Sequence, residues 1–161
     1  MTKQQRDTLI EQYADGPRRL GMALAKIPPA VRKWRPAPGE WSAHEVVCHC
    51  ADSEVTSYSR IRMVLAENDP LIVGYNQEEW ARKFDYHKLP LEPALAAVAA
   101  VRLTTAALLR NLTDADWARK GRHTEMGEYP AEKWLELYAA HLDGHAQQID
   151  NNLAAWKKAN T

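Results

Sequence analysis

The sequence predicts an all-α protein, an antiparallel four-helix bundle with short extra helices. Three observations carry that reading. Four long stretches space their apolar residues by three and four positions, the period of a helix buried on one face. Val, Ile and Thr form no alternating run, so no strand is expected. Pro, Gly and capping residues fall between the long stretches, where helices start and stop. A chain of 161 residues can bury one sizeable core, and residues 1–161 read as a single domain.

The first stretch, from about Gln4 to Ile27, carries Leu9, Tyr13, Leu20 and Leu24. Pro17 lacks an N–H and crowds the preceding turn, so a kink, or two helices in line, is expected at Asp15, Gly16 and Pro17. Four prolines between Pro28 and Gly39 preclude regular helix and make that segment a connecting loop. Ser42 and Glu45 then form a capping box, each side chain serving the other's backbone N–H, with Trp41 and Val46 placed as a hydrophobic staple. The helix they open should run to about Glu67, where Asn68, Asp69 and Pro70 end it.

Residues 70–90 are mixed, with a short helical stretch through Trp80. A long helix rich in Ala and Leu follows from about Glu92 to Asn111. Thr113 to Asp116 caps a short turn holding Trp117. Residues 121–129 read as a loop turning at Gly127, and Pro130 fits the first turn of a last helix reaching about Lys157.

Lys plus Arg and Asp plus Glu each number 21, so the formal net charge is zero. No basic block appears, which excludes nucleic acid as the expected partner. The N-terminal segment is polar and unlike a signal peptide, and no apolar run approaches the ~20 residues of a membrane span. A soluble, cytoplasmic protein with no membrane partner is expected. Cys48 and Cys50 point to different helix faces, so they read as core filling rather than a disulfide or a zinc knuckle. Six Trp accompany a single Phe, and Trp41, Trp80 and Trp134 are expected as core or wall.

Chemistry concentrates on two stripes. In the last helix Trp134, Leu137, Tyr138, His141, His145, Gln148 and Ile149 share one face. His141 and His145 lie one turn apart, about 6 Å along the axis, close enough to meet one ion. A buried imidazole is costly unless its nitrogens are satisfied, and a divalent cation satisfies two at once. In the second helix His49 follows the stripe of Val46, Cys50, Ser53, Ser57, Ile61 and Val64. Facing helices stand ~8–10 Å apart, so His49 can reach the same ion. Three imidazoles leave a coordination position open, the arrangement of a catalytic site. Asp52, three residues after His49, either fixes an imidazole tautomer or acts as a base, or else sits in solvent as a helix-surface charge. His44 is expected near solvent, His87 and His123 at the surface or over the bundle mouth, and Arg60, Arg62, Glu78 and Glu79 on solvated faces.

Two segments resemble a known family. Pro38 to Ser42 with Glu45 to Ser53, and Tyr138 to Ile149, resemble the second-helix and last-helix motifs of the DinB/YfiT-like superfamily. The resemblance spans nearly the whole chain. It implies a four-helix bundle, commonly a homodimer, with zinc or nickel on His49, His141 and His145. It also implies an enzyme that is either a thiol S-transferase of the bacillithiol-transferase kind or a metal-dependent hydrolase, with a mycothiol-dependent isomerase as a relative. The leading expectation is transfer of a low-molecular-weight thiol to an electrophilic small molecule, the metal making the thiol nucleophilic. Hydrolysis by activated water and a non-catalytic metal- or small-molecule-binding bundle are the alternatives.

Overall fold

A computed structural model describes residues 1–160. Four long helices, α1 (Lys3–Ala25), α2 (Ala43–Ala66), α4 (Leu91–Leu109) and α6 (Ala131–Ala159), form the expected bundle. The connections hold two short helices, α3 (Gln77–Phe84) and α5 (Asp114–Trp117), and three short strands, β1 (Leu71–Ile72), β2 (Lys120–His123) and β3 (Gly127–Pro130).

α1 and α2 each pack on both α4 and α6. Arg6 pairs with Glu132 near the two helix starts and Lys26 with Asp150 further along, so α1 and α6 run parallel. His44 meets the Leu89 carbonyl just before α4 and Arg62 meets Thr105, so α2 and α4 also run parallel. Trp134 donates to the Ser57 carbonyl and Asn152 to that of Trp41, which sets α2 antiparallel to α6. Two parallel pairs therefore oppose each other, and α1 and α2, consecutive in sequence, lie across the bundle.

The capping box at α2 is present, with Glu45 N–H donating to the Ser42 hydroxyl and Ser42 N–H donating to Glu45 Oε2. α1 is one helix, with Pro17 inside it. Pro17 cannot donate to the carbonyl of Tyr13, and that orphaned acceptor is taken by Arg102 Nη1 at 2.8 Å. Beside it, a Cβ on Gly16 would come within 3.0 Å of Leu142, so the close passage of α1 over α6 requires a glycine there. Arg102 is fully buried and pairs in bidentate fashion with the equally buried Glu54, at 2.7 and 2.5 Å.

The structure corrects two expectations. Residues 120–130 are not a loop: β2 and β3 form an antiparallel hairpin, and β1 adds to β2 in parallel, giving the order β1-β2-β3. Gly127, at φ 69°, makes the return, but Lys120 to Pro130 lacks the β-branched alternation that signals strands. α4, with 19 residues and a mean hydropathy of 1.4, is long and apolar enough to cross a membrane by length and composition. In the fold it packs on α1 and α2 and carries Arg102 into the core. Cys48 and Cys50 are buried free thiols, and Trp134 is core.

Removing one partner of a buried ion pair strands the other charge. Arg102→Met should therefore cost about 3–5 kcal/mol in urea unfolding, and the double variant Arg102→Met with Glu54→Leu should recover most of it. A double variant no more stable than the single one would show that pairing is not the cause. Burial alone would raise the Glu45 carboxyl, but hydrogen bonds from Arg35 and from the Ser42 N–H and hydroxyl outweigh it and bring it from 4.5 to about 2. A folded pKa below the unfolded one adds stability that is fully present above pH 4.5 and lost as the pH falls towards 2. Glu45→Gln should flatten that part of the stability profile, as followed by thermal melting between pH 2 and 6.

Candidate metal centre

α2 turns His49 inward, and α6, antiparallel to it, brings His141 and His145 opposite. His49 is 3% exposed and the other two are half-buried. Ring centroids stand 5.7 Å apart for His49 and His141, 4.9 Å for His49 and His145, and 4.6 Å for His141 and His145. One ring nitrogen from each lies within 4.8 Å of the others. The three residues that the sequence singles out thus converge.

The hydrogen bonds fix where the ring protons sit. His141 Nδ1 is 3.1 Å from Glu54 Oε1, and His145 Nδ1 is 2.9 Å from Gln148 Oε1. Both partners are acceptors, so each Nδ1 carries a proton and each Nε2 is turned toward the other ring. These two Nε2 atoms face each other at 3.2 Å. His49 Nδ1 is buried and has no partner. Burial, followed by the proximity of the other two imidazoles, lowers His49 to about 3. Burial and His141 lower His145 to about 4, against the hydrogen bond to Gln148. Both rings are therefore neutral at pH 7. Three converging imidazole nitrogens are the donor set of a borderline divalent ion, and the residues present fit one.

The surroundings add walls and supports. The Trp41 ring lies 4.7 Å from His49 and that of Tyr138 5.6 Å from His141. Ser53 Oγ is 3.3 Å from His141 Nε2. A cavity of about 190 Å³ opens beside His49 and His141.

Several expectations change here. Asp52 touches no imidazole; it accepts the Tyr86 hydroxyl at 2.5 Å, because its position three residues after His49 points toward the 67–90 connection. The carboxylate that holds an imidazole is Glu54, a residue the motifs did not single out. Its signal was available: Cys50, Glu54, Ser57 and Ile61 form one buried stripe, and a glutamate there needs a cationic partner. His44 is buried rather than near solvent, its Nε2–H donating to the Leu89 carbonyl at 2.8 Å. His123 and Arg60 are buried as well, at 4% and 8% exposure, because the unforeseen sheet covers them. Leu137, read on the inward face of α6, is exposed. His87 is half-buried, 2.8 Å from the Ser42 hydroxyl.

Glu54 thus positions an imidazole without touching the ion's place. Partners of this kind typically change metal affinity about 10–100-fold. Glu54→Gln should weaken zinc binding by that factor in competition with a chelating dye, in samples shown to be folded by circular dichroism. Unchanged affinity would restrict Glu54 to supporting the core.

The DinB superfamily sequence profile matches residues 12–149. A protein of Oceanobacillus iheyensis, named by inference a metal-dependent hydrolase, is 34% identical over 111 residues, which are 69% of this chain and 64% of that protein. The match thus spans just under two thirds of that relative's length. A Bacillus cereus protein of the same description is 30% identical over 149 residues, 92% of this chain and 86% of that one. Among solved structures, YfiT from Bacillus subtilis superposes with a TM-score of 0.88 at 28% identity, covering 94% of this chain and 87% of its own. It is described, again by inference, as a metal-dependent hydrolase with an unusual four-helix bundle topology. A mycothiol-dependent maleylpyruvate isomerase shares the fold, with a TM-score of 0.70 at 13% identity over 92% of this chain and 63% of its own. With the profile spanning all three converging histidines and the bundle that presents them, this chain belongs to the DinB superfamily.

Proposed function

We propose that this chain is a metal-dependent enzyme that joins a low-molecular-weight thiol to an electrophilic small molecule, with His49, His141 and His145 as ligands of one divalent ion, zinc or nickel. The observation that carries the metal reading is the pair of Nε2 atoms facing each other at 3.2 Å, each on a ring whose Nδ1 is hydrogen-bonded away from the other. When bound, the ion supplies a Lewis acid that lowers the pKa of a thiol or water reaching its open position.

The chain's own residues do the rest. Glu54 and Gln148 hold His141 and His145 in the tautomer that keeps Nε2 free. Trp41 closes one side of His49 against water. In the transfer, the thiol gives up its proton to solvent water, its sulfur bonds to the electrophilic carbon, and the leaving group departs with the bonding pair. This version needs no general base from the protein. That suits a site where Glu54 is committed to Arg102 and His141, and Asp52 to Tyr86. Hydrolysis is the second reading. It is favoured by the descriptions of the relatives and by Glu125, a carboxylate lining the cavity.

Protein purified without a histidine tag should hold about one metal ion per chain by elemental analysis, and His145→Ala should hold far less. Bacillithiol, mycothiol and glutathione should then be offered with monobromobimane or chlorodinitrobenzene. A metal-dependent rate with one of them is expected. Turnover of esters or amides without thiol, and no rate with any thiol, would replace transfer by hydrolysis. Absence of stoichiometric metal would end both.

A further inference from the structure

The cavity beside His49 and His141 has two walls that the three imidazoles leave unused, Arg60 and His123. Arg60 of α2 is 8% exposed and carries a permanent charge with five N–H donors. Nη2 donates to the Val73 carbonyl at 2.7 Å and Nη1 to the Tyr138 hydroxyl at 3.3 Å. Its Nε is buried with no acceptor. Among the described residues no ion pair involves Arg60, whereas the fully buried Arg102 has Glu54. Glu125, at the rim of the same cavity, is exposed and lies against Gly74.

His123 of β2 is 4% exposed. Its Nδ1 accepts the Glu125 backbone N–H at 3.1 Å, which places the ring proton on Nε2. That Nε2 is also buried without a partner. One cavity is thus lined by a buried cation with no ion-pair partner and by a buried imidazole whose N–H lacks an acceptor. Each is costly as it stands, and a ligand bearing acceptor oxygens and one negative charge relieves both. A guanidinium fork suits carboxylate and phosphate alike, and a cavity of about 190 Å³ favours the smaller, planar group.

We propose that the substrate of this chain is a small carboxylate, its carboxyl group held by Arg60 and His123 and its reacting end turned toward the three imidazoles. The proposal deepens the metal-centre reading and rests on it for the reacting end. The carboxylate seat itself belongs to Arg60 and His123 and exists with or without an ion.

The test is calorimetric titration of butyrate, its neutral counterpart butyramide, and inorganic phosphate into chelator-treated and zinc-loaded full chain. Wild type, Arg60→Lys and Arg60→Gln are compared after circular dichroism confirms folding. Butyrate should bind metal-free wild type about tenfold or more tightly than butyramide. Arg60→Gln should erase that preference, and Arg60→Lys should retain part of it. If Arg60→Gln does not fold, His123→Leu, on the other wall, should reduce the preference instead. Four results would overturn the assignment: equal binding of butyrate and butyramide, a preference that survives Arg60→Gln, butyrate binding only with zinc and regardless of Arg60, or phosphate binding tighter than butyrate. Zinc content is measured before any carboxylate is added. Failure of the three-histidine reading then appears as absent zinc, and failure of the carboxylate assignment as bound zinc without an Arg60-dependent preference.

Discussion

The buried ion pair between Glu54 and Arg102 is the constraint on which the rest of the molecule depends. Two charges withdrawn from water are a liability unless each remaining hydrogen-bonding atom finds a partner. Here they do. Arg102 divides its donors between Glu54 and the Tyr13 carbonyl that Pro17 leaves free, and its guanidinium lies 3.9 Å from the Tyr13 ring centroid. Glu54 accepts from Arg102 and from His141. The contacts run from α1 through α4 and α2 to α6, so one polar chain ties together all four long helices. It explains why a proline is tolerated inside α1: the carbonyl it orphans is an acceptor that the core employs.

The same chain sets the chemistry of the three imidazoles. A neutral histidine has one proton and two nitrogens, and the partner of one nitrogen decides what the other offers. Glu54 and Gln148 take the Nδ1 protons, and two lone pairs are thereby pointed at a common place. Burial works in the same direction by disfavouring the protonated rings, which could not act as ligands.

The bundle and the convergence of His49, His141 and His145 were legible in the sequence because helical periodicity is a local signal. Spacing by three and four residues says which side chains share a face, and the Ser42–Glu45 box says where the face begins. What was not legible depended on partners distant in sequence. Asp52 and Glu54 are both acidic residues near His49; the stripe of Cys50, Ser57 and Ile61 marks Glu54 as the inward one, but its partner Arg102 lies 48 residues further on. Arg60 and His123 read as surface residues because the three-stranded sheet that buries them is short and mixes Gly, Lys, Arg and Glu with few apolar residues, without the alternation that marks strands. Residues 71–73 and 120–130 lie far apart in the chain, and nothing local announces that they meet.

The placement of the histidines on the second and the last helices has a consequence for biosynthesis. His49 leaves the ribosome 92 positions before His141, and α6 closes the described fold. A nascent chain therefore displays one of the three rings while the next 92 residues are made, and assembles the full set only when α6 docks against α2. Capture of an ion would then follow the docking of α6, reserved for chains whose bundle is complete, and it would act as a check on folding rather than a template for it.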